Sequence, residues 1–215
     1  MQVEQLNMIK QQLRTGNVLN DSILALYDAI PRDQFVPSHY QQFAYSDMQI
    51  ELPHHQRMMT PLEEAKLLQA LNLSGTETVL EVGTGSGFLT ALLSRLCQKV
   101  ISIEHYEDLS AAAKGKLNQH GCDNIELYTG NACNGWFDKA PYDVIVFTGA
   151  IDTLTEAHRL QVVPGGQLFA IIGKEPIMQG QLHRLNHEQE WSVEIIFETC
   201  LPPLINASKS RDFIF

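Results

Sequence analysis

No apolar run in this chain reaches the roughly 18 residues that a bilayer-spanning helix needs, so no transmembrane helix is expected. Cysteine is scarce, and Cys97, Cys122, Cys133 and Cys200 stand far apart without a CxxC pair. That spacing suggests neither a zinc knuckle nor a redox motif. The first 17 residues are polar and amphipathic and lack the continuous apolar centre of a signal peptide. A cytoplasmic protein is therefore expected, with its cysteines kept as thiols and three of them serving as small core residues beside apolar stretches. Positive charge is also in short supply, with 15 Lys and Arg against 25 Asp and Glu and a formal net charge of −10. A surface that acidic repels phosphate backbones and anionic lipid, which argues against nucleic acid or membrane as a partner. It leaves a small-ligand pocket possible, because a pocket can differ locally from the surface around it. Histidines are present but sparse in pattern: His54 and His55 are adjacent, and His183 and His187 are four apart on an expected strand. Neither pair has an evident third ligand, and zinc needs three or four, so no metal site is expected. Internal repeats and low-complexity linkers are absent too.

What is there suits one domain of 215 residues with 44% hydrophobic and 19% charged residues. Residues 1–62 read as a helical extension and 63–215 as an α/β core. Leu6, Ile9 and Leu13 recur at helical spacing; Asn20 caps a second helix carrying Ile23, Leu24, Leu26, Tyr27 and Ile30. Pro31 and Pro37 break helical continuity. A third helix starts at Pro61, with Thr60 as N-cap and Glu63 completing a capping box. From Glu77 onward the runs ETVLEV, VISIEH, NIELYTG, YDVIVFTG and QLFAIIG are short and rich in β-branched residues, as in buried parallel strands. Helical patterns separate them, one placing Leu89, Leu92, Leu93, Leu96 and Cys97 on a single face, others running through EDLSAAAKGKLNQ and DTLTEAHRLQV. This alternation predicts a doubly wound, mostly parallel sheet, a Rossmann-like α/β fold. After Gly180 the segments QLHRLNHEQE and WSVEIIFETC suggest an antiparallel hairpin.

The most informative stretch is Val79-Leu80-Glu81-Val82-Gly83-Thr84-Gly85-Ser86-Gly87-Phe88. A strand runs into three glycines on alternate positions, and an amphipathic helix follows. Glycine permits the turn and removes the Cβ that would hold a ligand off the backbone. A nicotinamide site normally shows GxGxxG, whereas GxGxG preceded by Glu81 fits the cationic methionine part of S-adenosylmethionine. Glu81 is expected to meet the ligand's ammonium or, through water, the loop amides. Glu104 ends the next strand about twenty positions past the first glycine, where such sheets place an acid that accepts from both ribose hydroxyls.

With those residues in place, the chain resembles the protein-L-isoaspartate O-methyltransferase family from about Leu6 to Leu204. The loop LEVGTGSGF is similar to the family's LEIGTGSGY, and Pro31–Pro37 to its PRxxFVP. Ala44-Tyr45-Ser46-Asp47 resembles its AYxD, Gly135-Trp136 with Ala140–Asp143 its GW…APFD, Val163–Gly166 its APGG turn, and Leu201–Leu204 its FVPL. The loop is shared by many methyltransferases; PRxxFVP and the GW segment are much more specific to this family. The resemblance implies S-adenosyl-L-methionine as cofactor, S-adenosyl-L-homocysteine as product, and isoaspartyl proteins or peptides as substrate in protein repair. It also implies cofactor contacts at Gly83, Thr84, Gly85, Ser86, Gly87, Glu104, His105, Asn131 and Ala132, with Thr148 facing the methyl donor.

The chain departs from the family in the substrate segment. Where the family has GxGQTISQP, this sequence has Pro53 to Pro61, with Met59 at the serine position and both glycines replaced. A thioether donates no hydrogen bond, so no catalytic residue is assigned; Thr60 offers a hydroxyl one position away but is expected to be engaged as the helix cap. His54, His55, Gln56, Met58, Met59 and Thr60 form the expected substrate rim. Met58 and Met59 read equally as an apolar pocket for another acceptor or as packing at the helix entry. The family's GDG reads Gly130-Asn131-Ala132, and an asparagine still accepts from an adenine amino group. Three further readings stay open: a family member with a different acceptor, a module that binds the cofactor without turnover, and, disfavoured by the loop spacing, a nicotinamide dehydrogenase. Oligomeric state is not legible.

Overall fold

A computed structural model describes residues 3–207. Helix α1 (Val3–Asn7) continues as π-helical turns over Met8–Leu13, burying Met8, Ile9 and Leu13. Asn20 caps α2 (Asp21–Ala29), its side chain accepting from the Ser22 and Ile23 N–H groups, and α2 buries Ile23, Leu24 and Tyr27. Short 3-10 turns at Arg32–Gln34 and Ser38–Phe43 follow the prolines. The extension expected to be helices and loops then forms a two-residue antiparallel ladder, β1 (Ile50–Glu51) with β2 (Arg57–Met58). Two residues per strand are too few for an alternating pattern to register in sequence. At α3 (Pro61–Leu71) the capping box is in place, with the Thr60 hydroxyl accepting from Glu63 N–H and the Glu63 carboxylate from Thr60 N–H.

The remainder alternates: β3 (Thr78–Val82), α4 (Phe88–Ser94), β4 (Lys99–Glu104), α5 (Glu107–Gln119), β5 (Ile125–Thr129), β6 (Tyr142–Ile151), α6 (Glu156–Arg159) and β7 (Val162–Lys174). The antiparallel strands β8 (Ile177–Leu185) and β9 (Trp191–Thr199) extend the same sheet. Its order is β5-β4-β3-β6-β7-β8-β9, with β5 through β7 parallel. This is a Rossmann-like sheet whose direction of winding reverses between β3 and β6, and ligand crevices form at the carboxyl ends of strands at such a point. Two expected helices are shorter than their patterns: α4 stops at Ser94, leaving Leu96 and Cys97 in the following turn, and α6 keeps four residues. Alternation along β3 sends Val79 into the core cluster shared with the Met8–Leu13 turns and α2–α4, and Leu80 and Val82 into the opposite one. The N-terminal helices and the sheet thus share one core.

Candidate active site

β3 ends at Val82, and the turn through Gly83, Gly85 and Gly87 has φ of +100°, +54° and +84°. An added Cβ at Gly83 would fall on the Thr148 hydroxyl. That hydroxyl donates to the carbonyls of Val82 (3.0 Å) and Gly83 (2.7 Å), fixing the end of β6 to the loop. Glu104, at the end of β4, is 4% exposed. One of its carboxylate oxygens accepts from Gly85 N–H at 2.8 Å and the other from Tyr106 N–H at 3.1 Å. Each oxygen keeps a further lone pair, so the carboxylate can still receive hydroxyl donors.

Around this acid lies a cleft walled by Val82, Gly83, Gly85, Ile103, His105, Tyr106, the Gly130–Cys133 turn, Thr148 and Gly149. Leu52, Gln56 and Arg57 close it on one side and Pro202, Leu204 and Ile205 on the other. The far wall is tied down: Ala150 N–H donates to Pro202 C=O at 2.9 Å and Leu204 N–H to Ala150 C=O at 2.8 Å. An inner recess continues behind the loop, lined by Leu52, Arg57, Met58, Met59, Glu64, Gly83, Thr84, Ser86, Leu89 and Thr148.

The expected cofactor residues divide. Gly83, Gly85, Glu104, His105, Asn131, Ala132 and Thr148 line the cleft together. Glu81 does not: it is fully buried on the α4 face of β3, accepting from Thr90 Oγ1 (2.6 Å) and Ser102 Oγ (2.5 Å). Strand alternation turns it away from the crevice, and burial pushes its carboxyl up to about 8. Thr84 turns its hydroxyl to Ser102 Oγ at 2.6 Å, and Ser86 Oγ accepts from Phe88 N–H at 3.2 Å. Both reach the inner recess, not the outer cleft. Gly87 lies outside both; a Cβ there would sit 3.2 Å from Ala113, so it serves close packing of α4 against α5. Asn131 commits its carbonyl oxygen to Cys133 N–H at 3.1 Å. Thr148 reaches the cleft, but its hydroxyl is already engaged with the loop carbonyls.

The expected rim divides similarly. His54 and His55 both hold positive φ, +60° and +57°, so the second stands left-handed where the family's motif has glycine. The His54 ring stacks on Tyr106 at 3.9 Å and 7°, with Nε2 3.0 Å from the Asp108 carboxylate, and the ring beside it holds Asp108 below its usual range. This clip joins the rim to the wall of the cleft. His55 is exposed and faces Glu51 at 3.7 Å. Gln56 lines the cleft, while Thr60 is occupied as the cap. Met58 and Met59 are buried at 6% and 4% yet also line the recess, so packing and pocket readings both hold. Beneath them Arg32, from the PRxxFVP-like segment, is wholly buried; it pairs with Glu64, donates to Met59 C=O at 2.7 Å and lies over the Phe88 ring. Burial raises the Glu64 carboxyl and the Arg32 guanidinium pulls it down. Tyr106, Leu52 and the Pro202–Ile205 wall were not anticipated as site residues, because only the folded chain brings them to the loop, and Arg57 fell within the expected rim from His54 to Thr60 without a role of its own.

Comparison with known proteins accounts for this arrangement. The family model for protein-L-isoaspartate(D-aspartate) O-methyltransferase matches residues 3–206. A protein-L-isoaspartate O-methyltransferase 2 of Pelobacter propionicus is 32% identical over 201 residues, covering 93% of this chain and 89% of its own. A protein-L-isoaspartate O-methyltransferase of Aliivibrio fischeri is 34% identical over 199 residues, covering 92% and 94%. Among solved structures, a protein-L-isoaspartate O-methyltransferase superposes with a TM-score of 0.80 at 22% identity, over 93% of this chain and 65% of that one. One from Plasmodium falciparum, described as putative and solved with S-adenosyl-L-homocysteine, gives 0.76 at 17% identity, over 92% and 96%. At those identities the two structures establish the fold, and the sequence matches carry the kinship: the chain belongs to the protein-L-isoaspartate(D-aspartate) O-methyltransferase family.

Proposed function

We propose that this chain is an S-adenosylmethionine-dependent methyltransferase that esterifies the free α-carboxyl of isoaspartyl residues in proteins or peptides. The observation that carries the cofactor assignment is the buried Glu104 carboxylate, held by two backbone amides in a cleft floored by Gly83 and Gly85. The residues present fit the cofactor: an acceptor-only acid for the ribose, apolar walls at Ile103 and Ala132 with the Tyr106 ring for the adenine, and Cβ-free backbone at the loop. When bound, the cofactor supplies a methyl group on a sulfonium, an electrophile toward oxygen nucleophiles.

The chain's own task is positioning and drying. A carboxylate of ordinary pKa, near 4, is already ionised at neutral pH, so no general base is required. Catalysis then rests on orientation and on stripping water from the nucleophile. Pro202, Leu204 and Leu52 give the cleft apolar walls suited to that task. The Arg32–Glu64 pair fixes the Met59 backbone, and hence the rim.

The test is transfer of labelled methyl from S-adenosylmethionine to an isoaspartyl peptide, with the matching aspartyl peptide as control. Base-labile label on the isoaspartyl peptide alone is expected. Protein that is stabilised by S-adenosylhomocysteine but yields no label would end the isoaspartyl assignment. A second reading then gains force from Met58 and Met59, whose thioethers line the recess where the family's serine would donate: a family member methylating a different acceptor.

A further inference from the structure

Arg57 lies where the outer cleft and the inner recess meet. It borders the first with Gln56 and Glu104 and the second with Met59, Gly83 and Thr148. Its side chain is exposed, and among the described residues its guanidinium has no hydrogen-bond or ion-pair partner. The carboxylates near it are engaged elsewhere. Glu51, opposite Arg57 in the β1–β2 register, faces His55; Glu64 is paired with Arg32; Glu104 is held by the Gly85 and Tyr106 amides. The short ladder holds the Arg57 backbone in place, and the His54–Tyr106 stack braces the turn before it. Arg57 stands where the family's segment has threonine, two residues before the methionine that replaces the hydroxyl donor.

We propose that Arg57 determines the acceptor class: its guanidinium receives the acceptor's carboxylate at the mouth of the recess and replaces the donor lost at Met59. The inference rests on the methyltransferase reading of the cleft. A guanidinium presents two parallel N–H donors that match both carboxylate oxygens and stays charged at any working pH. It follows that a free carboxylate is selected and its neutral amide rejected.

Fluorescence anisotropy would measure binding of two labelled peptides to protein saturated with S-adenosylhomocysteine, one isoaspartyl and one with the same residue as its α-carboxamide. Hydrogen bonds to charged groups contribute about 1.5–3 kcal/mol, so the carboxylate form should bind about 10- to 100-fold more tightly to the native protein. Arg57→Gln should abolish that preference and Arg57→Lys should retain part of it. Both variants should still be stabilised by S-adenosylhomocysteine, with a shift reduced at most by the change of one residue at the edge of the cleft. A native protein without preference, or an Arg57→Gln variant that keeps it, overturns the proposal. So does loss of cofactor stabilisation in Arg57→Gln, which would assign the guanidinium to the cofactor's own carboxylate. Methyl transfer in the same samples separates the two ideas. Label without preference removes the role of Arg57 alone, and preference without label removes the isoaspartyl reaction alone.

Discussion

At Gly83 the side chain has to be hydrogen. The backbone sits at φ +100°, and the place a Cβ would take is filled by the Thr148 hydroxyl that ties β6 to the loop. Gly83→Ala is therefore expected to cost about 1–3 kcal/mol in strain and to displace Thr148. The readout is scanning fluorimetry with and without S-adenosylhomocysteine: a lower Tm and a greatly reduced ligand-induced shift are expected, and a native-sized shift would contradict this role. Gly83, Gly85 and Glu104 were legible because their placing depends on spacing along one β3–α4–β4 unit. Glu81 was legible as an acid and misplaced as a ligand contact. Strand alternation puts it beside Val79 on the α4 face, where the Thr90 and Ser102 hydroxyls hydrogen-bond to it. Arg57 carried no signal of its own, since its meaning depends on which carboxylates are already engaged around it.

Among the elements, the join between the PRxxFVP-like turn and α3 is the most consequential. Arg32 and Glu64 lie far apart in sequence and are both buried, and their pair supports the Met59 carbonyl just ahead of the Thr60 cap. Sequence resemblance marked the Arg32 segment without giving its purpose, because the partner belongs to another element. Arg32→Met should cost about 3–5 kcal/mol, leaving Glu64 buried and uncompensated. Adding Glu64→Leu should recover most of that loss, and urea unfolding of the single and double variants measures it; a double variant no more stable than the single one would count against the buried-charge account. Strand positions were readable from β-branched runs. Helix ends were less so: Leu96 and Cys97 continue the apolar stripe of α4 into the turn, so the pattern outlasts the helix.

The whole sheet places one acid at its centre. Glu81 on β3 is enclosed by β4 and α4, and burial pushes its carboxyl up to about 8 from an ordinary value near 4.3. Between those values the folded protein holds a proton that the unfolded chain has lost, so stability falls as pH rises across that window. Glu81→Gln stays neutral throughout. Its Tm is expected to fall less than that of the native protein between pH 5 and 8.5, and equal slopes would show that Glu81 titrates normally. The doubly wound, mostly parallel sheet was legible from the alternation of runs, whereas the strand order and the reversal between β3 and β6 that locates the site came from the folded sheet. The enclosure was not legible either, because its walls come from residues 52–57 and 202–205, at opposite ends of the described chain.

The late wall has a consequence for biogenesis. A nascent chain leaving the ribosome presents the glycine loop, Glu104 and Thr148 early, and the sheet can gather around them. Pro202 and Leu204 bind the Ala150 backbone only after β7, β8 and β9 have emerged. Until then the crevice lacks that wall. That wall is completed only after β9, so a chain stopped before Pro202 lacks it even if the glycine loop has formed.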